Sequence, residues 1–151
     1  MTVLFATTTF IAADRRITWD GEADTMCKVA ANRHLVASAC GLASAVVRVK
    51  QAVRDGAEKA EDLLDCIDEH SMGLVVTKRE EIFLIEDGTL WPRHFAAAAG
   101  SGADLALGYV AGAHGRRKTH PSPLVVRRAL EWVASRRVDC GGGVDIRRVR
   151  R

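Results

Sequence analysis

Thr2 carries a hydroxyl and, once Met1 is removed, would also carry a free α-amine on the same residue. Its side chain is small enough for that removal, and the two groups together make a self-contained nucleophile and base. An α-amine titrates near about 7.7 to 8.0, so a substantial fraction is neutral at working pH and can take the hydroxyl proton. While Met1 stays attached, the nitrogen is an amide and the base is missing. Many sequences begin Met-Thr, so the weight falls on what could surround the residue: Asp14 after Ala12-Ala13, Lys28, and Ser101 within Gly100-Ser101-Gly102. Each also has a plainer reading. Asp14 beside Arg15 and Arg16 could be a surface ion pair, Lys28 a solvated lysine, and Ser101 a helix cap.

The elements that must position these residues follow from periodicity. Thr2 to Thr18 is rich in β-branched and aromatic residues with Thr7, Thr8 and Thr9 in the middle, which predicts two paired strands around a threonine-lined reversal. Asp20-Gly21 supplies a turn, and short strands are expected near Met26 to Ala30 and His34 to Cys40. Leu42, Ala45, Val46, Val49, Ala52 and Val53 then recur at helical spacing, with Gly56 to close the helix, and Ala60, Leu63, Leu64 and Ile67 predict a second one. Met72 to Thr77 and Ile82 to Glu86 read as strands joined across Lys78 to Glu81, followed by an Asp87-Gly88 turn and an apolar run from Phe95 to Ala99. Helical spacing resumes at Leu105, Ala106, Tyr109 and Val110. A last helix starts with Ser122 as N-cap and Pro123 at its first position, its inner face formed by Val126, Ala129, Leu130 and Val133. Gly141-Gly142-Gly143 leads into a final strand, Val144 to Val149. Hairpin-linked strands argue against alternating βαβ units. The expected architecture is a single α+β domain over residues 1–151, a four-layer αββα sandwich of two largely antiparallel sheets flanked by helix pairs.

The run from Thr2 through IAADRRIT to the lysine of TMCKV, then VASACG, AAAAGSGADLALG and GGGVDI, resembles the proteasome β-subunits and the bacterial HslV-type peptidases, which are N-terminal-nucleophile (Ntn) hydrolases. The resemblance covers nearly the whole chain in the same order, and the short first hairpin points to compact members. It implies a threonine-type peptidase in which Thr2 attacks the peptide carbonyl, Lys28 holds positive charge beside it, Asp14 pairs with Lys28, and Ser101 relays a proton near the amine. A backbone N–H near Ser38 would face the oxyanion, at a position where the family usually has glycine. The family also places an aspartate and then a serine or threonine before the last strand. The best-aligned positions here hold Arg137 and Cys140, so Asp139 and Cys140 are the candidate accessories. No cofactor and no metal are implied. The implied partners are a peptide or unfolded protein substrate, sister subunits in a homo-oligomeric ring, and an ATP-dependent unfoldase.

Bulk properties bound the alternatives. With 151 residues, 48% of them hydrophobic, the chain can bury about two thirds of its unfolded surface around one core. Cys27, Cys40, Cys66 and Cys140 are widely spaced with no CxxC pair, which fits reduced thiols better than a disulfide framework or zinc site. Asp14, Arg15 and Arg16 interrupt the N-terminal apolar run before it could span a membrane, so a soluble cytoplasmic protein is expected. A dinucleotide fingerprint at Gly100-Ser101-Gly102 fails because Leu105 replaces the third glycine. His114 and His120, flanking a basic loop at Arg116 to Lys118, have no ligand-spaced companions and read as surface histidines. Trp19, Trp91 and Trp132 read as packing residues. The net charge of +3 is modest, although Arg147, Arg148, Arg150 and Arg151 crowd the end. A nucleic-acid module ranks last, because no aromatic stacking platform accompanies these charges. A stronger rival is a non-catalytic ring subunit.

Overall fold

The computed structural model describes residues 2–19, 22–115 and 120–149. Strands β1 (Val3–Thr7) and β2 (Phe10–Asp14) form an antiparallel hairpin around Thr8-Thr9, and every residue in both strands is buried. Their alternation divides two cores. Leu4, Ala6, Ile11 and Ala13 face one, and Val3, Phe5, Phe10 and Ala12 face the other. A ribbon of β3 (Arg16–Trp19) and β4 (Glu22–Thr25) follows. It was not anticipated, because EADT is polar and carries no alternating signal; the Asp20-Gly21 turn and the Trp19 ring lie outside what the structure describes.

β5 (Val29–Ala31) and β6 (Leu35–Cys40) pair antiparallel. Between them, Asn32 Oδ1 accepts the N–H groups of His34 and Leu35 at 2.8 and 3.0 Å, the local turn chemistry of asparagine. Helix α1 (Ala43–Arg54) buries Ala45, Val46, Val49 and Val53. Leu42 is its N-cap and stands about half exposed rather than on the inner face. The second expected helix is a 3-10 helix (Ala60–Cys66), begun where the Asp62 carboxylate accepts the N–H groups of Glu58 and Lys59. Seven residues offer few α-type bonds, and the tighter helix still buries Ala60 and Leu63.

β7 (Met72–Thr77) and β8 (Ile82–Glu86) have the expected limits. The additional strand β9 (Thr89–Arg93) is mostly exposed and contains Pro92, as an edge strand can. Trp91, on this edge, is about half exposed, which corrects its reading as a packing residue. β10 (Ala96–Gly100), α2 (Ala103–His114), α3 (Pro123–Ala134) and β11 (Val144–Arg148) complete the order. Ser122 caps α3 through the Val125 N–H at 3.4 Å, and Val126, Ala129, Leu130 and Val133 are fully buried. Trp132 packs beside Tyr109 with the Arg136 guanidinium over its ring. The basic loop at Arg116 to Lys118 lies outside the described residues, as do Arg150 and Arg151. His114 is buried and not a surface residue, while His120 is exposed and stacks on Phe95.

Apart from the β3–β4 ribbon, the described strands form two antiparallel sheets, β10-β1-β2-β11 and β5-β6-β7-β8-β9. The core between them joins Leu4, Ala6, Ile11 and Ala13 to Val36, Leu74, Val76 and Ile82. The outer face of the first sheet is covered by α2 and α3, and that of the second by α1 and the 3-10 helix. Each fully buried Leu, Ile, Val or Phe contributes about 1.5–3 kcal/mol, so three stacked cores hold the four layers together. The αββα sandwich is the architecture the alternating patterns predict.

Candidate active site

The start of β1 and the end of β2 meet at one open end of the sandwich. The Leu4↔Ala13 register brings Asp14 beside Val3, whose N–H it accepts at 3.0 Å. The other carboxylate oxygen accepts the Gly141 N–H at 2.9 Å. Asp14 is thus a buried acceptor tying β1, β2 and the glycine-rich segment before β11, not a surface ion pair with its neighbouring arginines.

Lys28, between β4 and β5, is fully buried. An ammonium has three N–H donors, and all three are used: one to Asp14 Oδ1 at 3.0 Å, one to the Thr2 hydroxyl, and one to the Arg16 carbonyl. Burial pulls its pKa below the ordinary lysine value, and the Asp14 carboxylate pushes the other way. A cation desolvated this far retains its charge only with such partners. Asp14 and Lys28 therefore form one unit whose free end is aimed at Thr2 Oγ1.

Gly100 places β10 against Thr2. It pairs in the position opposite Val3 with φ +92°, and a Cβ there would stand 1.9 Å from the Thr2 carbonyl oxygen. Only glycine allows that approach and that backbone conformation. The next residue, Ser101, shares a cleft with Thr2. Its hydroxyl donates to Asp139 Oδ2 at 2.9 Å and lies 3.9 Å from Cys140 Sγ. Ser101 does not cap α2, whose N-cap is Gly102. Arg137 holds Asp139 from the other side at 3.1 and 3.3 Å, and this guanidinium, with a smaller contribution from Ser101, depresses the carboxyl pKa to about 2. The structure brings Asp139 and Cys140 together with Ser101.

Ser38 departs from expectation. It is fully buried within β6, its hydroxyl donates to the Lys28 carbonyl at 3.0 Å, and it does not line the cleft. The cleft is reached two residues later, at Cys40 and Gly41, because β6 continues to Cys40 before the chain bends. Gly41 has φ +104°, and a Cβ there would stand 2.3 Å from the His70 carbonyl oxygen. Both the glycine of VASACG and the strand end at Cys40 are legible in the sequence, and Ser38 lies inside that strand.

The cleft holds about 400 Å³ and is walled further by Glu69, His70, Ser71, Met72, Glu86 and Asp87. These side chains arrive through the β6–β7 and β8–β9 connections, and no local motif marks them. Cys40 is the rival nucleophile there, yet burial pushes its thiol up to about 12, which leaves it protonated and unreactive at neutral pH. Among the described residues no group of three His, Cys, Asp or Glu side chains could hold a metal ion, and no helix is long and apolar enough to cross a membrane.

Solved structures match this architecture end to end. Thiobacillus denitrificans BPH in complex with epoxomicin superposes with a TM-score of 0.73 at 15% identity, covering 99% of each chain. Eukaryotic HslV from Trypanosoma brucei gives 0.72 at 14% identity, also over 99% of each chain. An Anbu (Gly-1) mutant from Hyphomicrobium sp. strain MC1 gives 0.71 at 12% identity, over 97% of this chain and 80% of its own. The chain has the proteasome-like Ntn-hydrolase fold. No family model and no curated protein matches the sequence. At 12–15% identity the Ntn-hydrolase likeness carries the fold, and the chemistry rests on the geometry around Thr2.

Proposed function

We propose that the protein is a threonine-type peptidase whose nucleophile is Thr2, exposed by removal of Met1. The observation that carries this reading is the buried Lys28 ammonium, which donates to Thr2 Oγ1 while Asp14 holds it in place. With Met1 gone, the Thr2 α-amine takes the hydroxyl proton as Oγ1 attacks the substrate carbonyl carbon. Lys28 stabilises the developing alkoxide and disfavours prior protonation of the amine. The tetrahedral oxyanion would receive the backbone N–H of Gly41, which takes the role expected near Ser38. Collapse of the intermediate expels the amine product with the proton held by the α-ammonium. The ester on Thr2 is then hydrolysed by water, and the Ser101–Asp139 pair steadies the proton relay.

The HslV-type likeness supports assembly into a homo-oligomeric ring acting on unfolded protein or peptides, fed by an ATP-dependent unfoldase. The four free thiols suit a reducing compartment, the cytoplasm.

The test begins with intact mass, which reports Met1 removal. The processed protein should be labelled covalently at residue 2 by epoxomicin, the compound present in the Thiobacillus denitrificans complex. Thr2→Ala should abolish labelling and reduce peptide hydrolysis by at least roughly 1,000-fold while the protein stays folded. Turnover that persists in this variant overturns the assignment. A processed, folded protein that takes no label and cuts no peptide is a non-catalytic ring subunit.

A further inference from the structure

A cavity of about 770 Å³ lies away from Thr2, where the Thr8-Thr9 reversal of the first hairpin meets the β7–β8 turn and the end of β11. Its lining includes Arg33, Lys78 and Arg148, the threonines Thr8, Thr9 and Thr77, and a single carboxylate, Glu80. Among the described residues the Lys78 and Arg148 side chains have no hydrogen-bond or ion-pair partner, and the Arg33 side chain meets only His34 Nε2, at 2.8 Å. Thr77 gives its hydroxyl proton to Glu81 at 3.0 Å, and Thr9 shares its hydroxyl with Thr7 at 3.4 Å.

Thr8 supplies an independent observation. It is 8% exposed, and its hydroxyl oxygen is buried with no hydrogen-bond partner among the described residues. Buried hydroxyls are ordinarily paired, and one left alone carries an uncompensated desolvation cost. A threonine side chain exchanges hydroxyl and methyl by rotation between staggered wells, so a negatively charged group in the cavity can recruit this hydroxyl. Three cations against one carboxylate select a multiply charged anion. Arginine forks and hydroxyl donors match the tetrahedral oxygens of phosphate, and the volume leaves room for an organic body attached to it.

We infer that this cavity binds a phosphomonoester group, with Arg33, Lys78 and Arg148 neutralising its charge and Thr8 donating to one of its oxygens. The site is separate from the Thr2 cleft and does not depend on peptidase activity. Calorimetric titration of the intact protein at fixed ionic strength tests it, with inorganic phosphate, adenosine monophosphate and sulfate as probes. Saturable binding of phosphate and the nucleotide, at least tenfold tighter than sulfate, is the expected result. Tighter binding of the nucleotide identifies an organic phosphate as the preferred source, and equal binding identifies the free ion. Lys78→Ala combined with Arg148→Ala, two exposed positions, should weaken binding tenfold or more. Thr8→Val should weaken it severalfold without lowering Tm, since the isosteric methyl removes a hydroxyl that has no partner. Absence of saturable binding at millimolar phosphate, sulfate binding as tight as phosphate, or unchanged affinity in both variants overturns the inference.

Discussion

The two threonine clusters of the first hairpin have opposite bookkeeping for polar atoms. At Thr2 a fully buried lysine spends every proton, and both oxygens of its aspartate are occupied. At Thr8, among the described residues, Lys78 and Arg148 stand in solvent without partners, Arg33 meets only His34, and a buried hydroxyl bonds to nothing. β1 is the same five-residue strand in both cases, buried on both faces and paired on both edges, so the contrast does not come from the strand. It comes from what the later chain delivers: Lys28 and Gly141 to one place, Arg33, the β7–β8 turn and Arg148 of β11 to the other. A pre-organised charge needs low dielectric and complete pairing, whereas a site awaiting a charged ligand must keep donors unspent.

The contrast can be broken most severely at Asp14. Asp14→Ala leaves Lys28 buried and uncompensated and strips the Val3 and Gly141 N–H groups of their acceptor, so denaturant unfolding should show a loss of about 3–5 kcal/mol. Adding Lys28→Met should recover a large part of that loss, and a double variant no better than Asp14→Ala alone would mean that the ion pair is not the cause. Thr8→Val is the matching change at the far cluster, and its unchanged Tm is the other half of the comparison.

Gly100→Ala comes next. The new Cβ would meet a backbone oxygen and require a left-handed conformation, so β10 must shift from β1 at a cost of about 2 kcal/mol or more. Epoxomicin labelling of Thr2 should fall with it, because the Val3–Gly100 pairing sets the position of Ser101. Full labelling in a stable Gly100→Ala variant would separate the Ser101 arm from the nucleophile.

The smallest effect is an acid one. Asp139 has its pKa depressed to about 2 in the fold, against about 3.9 for a free aspartate. A depressed folded value means that its contribution is complete above about pH 4 and is lost as pH falls toward 2. Asp139→Asn should therefore flatten the part of the stability profile between those limits, lowering stability at pH 7, where the contribution is complete, and changing little near pH 2. An unaltered acid limb would show that the Arg137 and Ser101 contacts to Asp139 do not persist in solution.

How far the sequence foretold this arrangement depends on how each element is buried. β7, β8 and α3 were legible to the residue or nearly so, because alternation and the Ser122-Pro123 start are local signals. The β3–β4 ribbon and β9 were not, since they are exposed and their pairing rather than their composition makes them strands. Asp14, Lys28 and Ser101 were named through resemblance, and the structure brings Lys28 to Thr2 through a hydrogen bond spanning 26 residues that no local pattern encodes. Ser38 lies mid-strand in β6, which runs to Cys40 as the sequence predicts, and the bend that reaches the cleft comes at Gly41. The orphaned Thr8 oxygen was invisible, because TTT reads the same whether or not its hydroxyls find partners.

The N–H that Gly141 gives to Asp14, and the grip of Gly141 and Gly143 on Arg15 and Arg16, have a consequence for synthesis. Translation delivers the amino end first, so a nascent polypeptide carries Thr2 and Asp14 long before residue 141 leaves the ribosome. Until that last stretch emerges and β11 seats against β2, the carboxylate lacks one of its anchors. On the proposed reading, the nucleophile's surroundings are therefore assembled only once the segment around Gly141 has been made.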